Sequence, residues 1–217
     1  MVDKRHWSKT YRRDVDHLRY AQDLTSLRTK VFIAIDIKWD EEDPSTILEI
    51  GLAVLDLREG RLKPNRFPPS TWSIRPRHVI VRENVGIHNS HAVSNKFGFK
   101  FGKSYFASIA RAVEYVQETL DRYDAEDTVL LGHYFSLDQA RLEEAGVEID
   151  EEIVTFDTAN LERAWSRRVN GRRTSLRNIC EKMEVSYYRE DKLGNAGNDA
   201  FFSMAIFAEM CCLEGDE

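Results

Sequence analysis

The chain has 217 residues, 42% of them hydrophobic, and carries 37 Asp and Glu against 31 Lys and Arg for a net charge of −6. That length and apolar content suffice for one sizeable core, so the simplest division is an N-terminal extension over residues 1–30 and one α/β domain over 31–217. The acidic balance argues against a generic nucleic-acid binder, and the sequence shows neither an apolar leader nor a run of about 18 apolar residues, which points away from secretion and membrane insertion and toward the nucleus or cytoplasm.

Residues 1–30 hold eight Lys or Arg and four Asp, and Val15, Leu18, Ala21, Leu24 and Leu27 recur at helical spacing. They predict a basic amphipathic helix that packs on the domain. Val31–Trp39 reads as a buried strand, followed by an acidic loop at Asp40–Asp43 and a strand over 46–57. After a turn at Arg58–Gly60, further β structure through Trp72–Ile74 and His78–Val81 makes an antiparallel meander. From Lys103 to Tyr123, apolar Phe106, Ile109, Ala110, Val113, Val116 and Leu120 predict one helix face. Strand 128–132, helix 136–145, strand 153–157 and helices near 158–168, 175–184 and 198–213 follow. A meander leading into βα alternation predicts a mixed β-sheet flanked by helices on both faces.

The most informative residues are Asp36 and Lys38 in Val31-Phe-Ile-Ala-Ile-Asp-Ile-Lys-Trp39. Side chains alternate along a strand, so the two project from one face about 6–7 Å apart, the geometry of a shared metal site. A D-x-E pair ending a first strand, followed by a strand like Ile47-Leu-Glu-Ile-Gly-Leu-Ala-Val54, resembles the first motif of the DEDDh family of 3′–5′ exonucleases. Here lysine stands where that pattern has glutamate. The second motif, Gly-His-Asn-x-x-Phe-Asp, is matched by Gly132, His133 and Asp138 in Val129-Leu-Leu-Gly-His-Tyr-Phe-Ser-Leu-Asp138. The third, H-x4-D at the start of the last helix, is matched in spacing by Gly194-Asn-Ala-Gly-Asn-Asp199, with Gly194 in place of the histidine. This last stretch looks most like a fungal branch of the family, associated with a factor that supports an mRNA-export helicase. The resemblance covers roughly residues 30–213, and its motifs are jointly specific because order and spacing agree.

The resemblance implies a ribonuclease H-like, DEDD exonuclease-like fold and a site of Asp36, Asp138 and Asp199 with two substituted positions, Lys38 and Gly194. Two-metal hydrolysis requires acidic oxygens that hold cations roughly 3.5–4 Å apart. Lysine at position 38 reverses the local charge and supplies an ammonium as counter-charge, while loss of a general base typically costs ~10²–10⁴ in rate. The expectation is a fold kept and a reaction lost, with no metal bound. In an active site, Asp36, Asp138 and Asp199 would hold Mg²⁺ or Mn²⁺. Taken singly, each aspartate also reads as an ordinary turn or first-turn helix residue.

Other features divide between function and plain structure. Arg163, Arg167, Arg168, Arg172, Arg173 and Arg177 occur with no acid among them over 163–177, beside Trp165. They read either as a phosphate-binding and base-stacking surface or as a solvated helix–loop–helix. Arg75, Arg77, His78, Lys96, Lys100 and Lys103 form a second basic cluster. His88 and His91 lack further ligands nearby and read as loop residues. Asp40 shares the parity of Asp36 but falls in the acidic loop, and His133 occupies a position separate from the family's catalytic histidine. Cys180, Cys211 and Cys212 lack metal-type spacing and read as reduced thiols. Three readings follow: an inactive exonuclease-like subunit that binds RNA or a protein, an active exonuclease on RNA or DNA with a non-standard site, and a purely structural interaction module.

Overall fold

In the computed structural model, which describes residues 8–58, 74–90, 94–169, 173–185, 188–189 and 192–212, six strands form one sheet. They are β1 (Val31–Trp39), β2 (Ile47–Asp56), β3 (Ile74–Val81), β4 (Tyr105–Ala107), β5 (Thr128–Gly132) and β6 (Val154–Asp157), in the order β4-β3-β2-β1-β5-β6. β2 is antiparallel to β1 and β3, whereas the β3–β4, β1–β5 and β5–β6 pairs are parallel. The helices are α1 (Lys9–Leu27), α2 (Ile109–Leu120), α3 (Phe135–Glu144), α4 (Thr158–Trp165), α5 (Leu176–Lys182) and α6 (Ala196–Cys212). This is the mixed sheet flanked by helices that the strand meander and the later alternation predict. None of the described helices is long and apolar enough to cross a membrane.

Strand parity decides where the chemistry goes. Phe32 and Ala34 of β1, with Ala53 and Leu55 of β2, enter the apolar layer built with α1, α4, α5 and α6. Val31, Ile33 and Ile35, with Ile50 and Leu52, enter the layer built with α2 and α3. By the same alternation Asp36, Lys38, Glu49 and Gly51 point to the α6 side. α6 is apolar on nearly every side, as a helix enclosed by protein must be: Phe201, Phe202, Met204, Ile206 and Phe207 are all buried. Phe207 packs on Phe32 with ring centres 5.0 Å apart, and Phe101 stacks on Phe201 at 3.8 Å.

Two expectations need correction. Lys103–Tyr123 is not one helix: Tyr105–Ala107 pairs with Val79–Val81 as β4, and α2 starts at Ile109, where Ser108 Oγ accepts the Arg111 N–H. Apolar spacing does not register a cap, so it carried the helix too far upstream and assigned Phe106, a strand residue 49% exposed, to its buried face. On α1, Leu27 is 62% exposed, because Arg28 ends the helix in the left-handed region at φ 53°. The buried face runs instead through Tyr11, Asp14, Leu18, Ala21, Leu24 and Thr25. α1 is fastened to the domain by Gln22 Nε2, which donates to the Met210 carbonyl at 3.1 Å, and by Tyr20 against Phe156. Trp72, His91 and Arg172 lie outside the described residues.

Candidate functional site: a carboxylate cluster filled by lysine

β1 delivers Asp36 and Lys38 to the α6 side of the sheet, and Asp199 lies in the first turn of α6, where the helix dipole favours a carboxylate. Gly51 of β2 lets the start of α6 approach the sheet: a Cβ at residue 51 would lie 1.9 Å from the Ala196 carbonyl oxygen. Across this close approach Lys38 Nζ donates to Asp199 Oδ2 at 2.6 Å and sits 2.8 Å from Asp36 Oδ2. The Asp36 contact is ionic without good hydrogen-bond alignment. Asp138, in the first turn of α3, accepts the Ile37 N–H through Oδ1 at 3.2 Å. Gly194 has φ 79° and donates its N–H to Asp199 Oδ1 at 3.2 Å, so it orients the carboxylate through backbone alone. Asp36, Lys38, Asp138 and Asp199 line one pocket of about 330 Å³, together with Trp39 and His133.

Burial dominates the electrostatics. It pushes the Asp36 carboxyl up to about 7, with Lys38 opposing and the Asp199 charge adding to the rise. Asp138 and Asp199 are pushed up by the same loss of water, against the pull of Lys38. Burial alone would lower the Lys38 ammonium, but Asp199 and Asp36 outweigh it and hold Lys38 well above its ordinary value. The cluster therefore contains its own cation. Lys38 Nζ fills the space between Asp36 and Asp199 where a shared metal ion would sit. Among the described residues no three His, Cys, Asp or Glu side chains are grouped to hold a metal. As placed, these residues do not fit the pair of cations that the motif resemblance implies.

Behind the cluster lies a network that sequence reasoning missed. Glu49 is opposite Lys38 in the β1–β2 register, yet it turns to His78, whose Nε2 is 2.9 Å from Glu49 Oε2. His78 Nδ1 lies 2.8 Å from Ser104 Oγ, and the Ala196 N–H donates to the same Glu49 oxygen at 3.3 Å. The available signal was an acid inside the apolar run Ile47–Val54, because a buried charge demands a partner. The Asn-Ala-Gly-Asn stretch has a structural reason too: Asn195 Nδ2 donates to the Lys96 carbonyl at 3.0 Å, and Asn198 Nδ2 donates to the Gly98 and Lys192 carbonyls at 3.0 and 2.6 Å. These bonds clamp the start of α6, and with it Asp199. His133 also lines the pocket; burial lowers it to about 4, and its Nδ1 lies 3.1 Å from Thr158 Oγ1.

The arginine run does not form a free cationic strip. Its acids lie just before the run and in α1: Arg163 Nε donates to buried Asp14 of α1 at 2.6 Å, Arg168 pairs with buried Glu162, and Arg173 lies 3.4 Å from Asp157. Trp165 packs against the core and lies under Lys182, whose Nζ is 5.8 Å from the ring centre. Arg167 is exposed and Arg177 half-buried. In the second cluster His78 is buried, and Lys96 is buried with Nζ donating to the Asn84, Val85 and Ile87 carbonyls at 3.3, 3.2 and 2.7 Å. Neither contributes surface charge.

Comparison with known proteins bears on the family and the fold. Residues 31–210 match the DEDDh family model described as DNA polymerase III subunit epsilon-like, C-terminal domain. The Saccharomyces cerevisiae protein named Good for full DBP5 activity protein 2 is 24% identical over 214 residues, covering 87% of this chain and 36% of its own length. An uncharacterised protein of the same yeast is 25% identical over 212 residues, covering 87% of this chain and 42% of its own. The chain thus spans less than half the length of either relative. The RNase domain of yeast Pop2 superposes with a TM-score of 0.52 at 12% identity, covering 95% of this chain and 84% of that domain, which establishes the ribonuclease H-like fold. With that fold, and with the family match extending from β1 into α6, the chain belongs to the DEDDh exonuclease family.

Proposed function

We propose that this protein is a catalytically inactive member of the DEDDh family that serves inside the cell as a binding subunit of a complex. The observation that carries this reading is the Lys38 ammonium, 2.6 Å from Asp199 and 2.8 Å from Asp36. A divalent ion entering there would have to expel a cation already matched to two carboxylates, and would meet electrostatic repulsion if Lys38 stayed. Gly194 supplies no side chain to take a proton from water, which removes a second requirement of the family's chemistry.

Of the two kinds of partner, the internal pairing of Arg163 and Arg168 favours a protein over RNA, since those guanidinium groups already have buried acids. The name of the yeast relative, a factor for the full activity of another protein, is consistent with a supporting role. The test is incubation of the purified chain with 3′-labelled single-stranded RNA and DNA in Mg²⁺ or Mn²⁺. No shortening is expected, and metal-dependent trimming that Asp138→Asn abolishes would overturn the reading.

A further inference from the structure

Among the described residues the sheet ends at β4. This strand is three residues long, pairs with β3 as its one neighbour among the described residues, and leaves Tyr105 58% and Phe106 49% exposed. An open strand edge presents backbone donors and acceptors to any extended chain that lies beside it, and on β4 one acceptor, the Phe106 carbonyl, is already taken by the Arg82 guanidinium at 3.1 Å. Next to it a groove of about 420 Å³ is lined by Val79, Ala112, Tyr105 and Tyr115, with Arg77 on the β3 side and Arg111 on the α2 side. Aromatic and arginine side chains around a small apolar depression are the composition of a binding hot spot.

The charges of the two banks decide the occupant. Arg77 is exposed on β3, where its guanidinium donates to the Pro76 carbonyl at 3.0 Å. Arg111 is bridged to Glu114 at 2.8 Å and to Glu118 at 2.9 Å, both exposed, so the α2 bank carries two anions for one cation. A nucleic-acid strand in this groove would set phosphates against Glu114 and Glu118. A protein segment can match both signs.

We infer that the β4–α2 groove docks an extended segment of a partner protein. The segment adds its backbone to the β4 edge, seats an apolar or aromatic side chain between Tyr105 and Tyr115, and carries an acid toward Arg77 and a base toward Glu114 and Glu118. This locates the partner surface for the binding role proposed above and rests on that reading.

The test pans a phage-displayed library of random dodecapeptides against the immobilised full chain, then titrates the selected peptides by fluorescence anisotropy. Enriched peptides are expected to share an acid–apolar–base order and to lose about tenfold or more in affinity to Tyr105→Ala. Arg77→Glu should weaken them, and replacing the peptide's acid with lysine should restore binding to that variant. Should Tyr105→Ala unfold, Tyr105→Thr, which suits an edge strand, takes its place, with thermal melts recorded for each variant. An unenriched library, or peptides that bind all variants as they bind the parent, overturns the proposal. So does an oligouridylate that binds the parent and is lost in Arg77→Glu, because it names a polyanion as the occupant. Nuclease activity is measured on the same preparations: cleavage with the groove result intact sinks the inactive-subunit reading alone, and loss of the groove result with no cleavage sinks the docking site alone.

Discussion

Lys38 and Asp199 are joined by a 2.6 Å hydrogen bond although 161 residues separate them in sequence. The bond exists because parity turns Lys38 toward α6, and because Gly51 lets the first turn of α6 approach β2 closely enough to bring Asp199 within reach. It gives the carboxylate cluster a structural task that is separate from any chemistry, and this task can be measured.

Replacing Lys38 with methionine should destabilise the fold by on the order of 3 kcal/mol at neutral pH, since it leaves clustered carboxylates without their cation. The pH dependence fixes the cause. Asp36 has a folded value near 7 against an ordinary 3.8, so between these values the folded state holds a proton that the unfolded state has released, and stability falls as pH rises through that window. Lys38 holds these carboxyls down. Its removal lifts them further, so the loss should continue above pH 7 and shrink toward pH 4. Urea denaturation at several pH values reads this directly, and a pH-independent difference between variant and parent would refute the assignment.

The parent chain should not trim RNA or DNA, and the double variant Lys38→Glu with Gly194→His should recover metal binding before it recovers rate. Glutamate at residue 38 restores an acidic oxygen beside Asp36 and Asp199. Histidine at residue 194 must adopt φ 79°, a left-handed conformation that costs non-glycine residues about 1–2 kcal/mol. Calorimetric titration with Mn²⁺ is expected to show binding to the double variant and to Lys38→Glu alone. If Lys38→Glu binds no Mn²⁺, then the lysine is not what closes the site.

The backbone and the cluster were legible in sequence to different depths. β1, β2 and β5 are apolar runs, β6 falls where the βα alternation requires a strand, and Asp36, Asp138 and Asp199 follow a fixed order and spacing, so local reasoning reached them. The partners of those residues were not legible. That Arg163 meets Asp14, that Glu49 meets His78 and that the Ala196 carbonyl leaves no room for a side chain at residue 51 are all consequences of tertiary packing. An arginine run with no acid in its own stretch looks free until α1 folds back upon it. A three-residue edge strand such as β4 is too short to show any periodicity.

The Asp14–Arg163 pair should be the strongest single tie between α1 and the domain. Asp14 is fully buried in α1, and Arg163 Nε donates to it at 2.6 Å. Asp14→Ala or Arg163→Ala should each cost about 3–5 kcal/mol, because each strands a charge away from water. Asp14→Leu combined with Arg163→Leu should restore most of that loss by exchanging the pair for apolar contact. Denaturant midpoints for the singles and the double supply the cycle, and additive losses would show that the two residues do not act through each other.

Arg167 and Arg168 are neighbours with opposite expected behaviour. Arg168 pairs with Glu162, a buried carboxylate held below its usual range by Lys182 and Arg168 against the effect of burial. Arg168→Glu places a second anion there and should destabilise the fold by about 3 kcal/mol or more. Arg167 is exposed, and Arg167→Glu should change stability by no more than about 0.5 kcal/mol. The same pair separates a structural surface from an RNA-binding one. A phosphate contact by Arg167 would make RNA affinity fall in Arg167→Glu and reduce the slope of log K against log salt by ~0.7. The internal pairing of its neighbours predicts instead that RNA binding by the parent is too weak at physiological salt for either substitution to alter it. A salt-dependent loss in Arg167→Glu with thermal stability unchanged would return the α4–α5 surface to RNA.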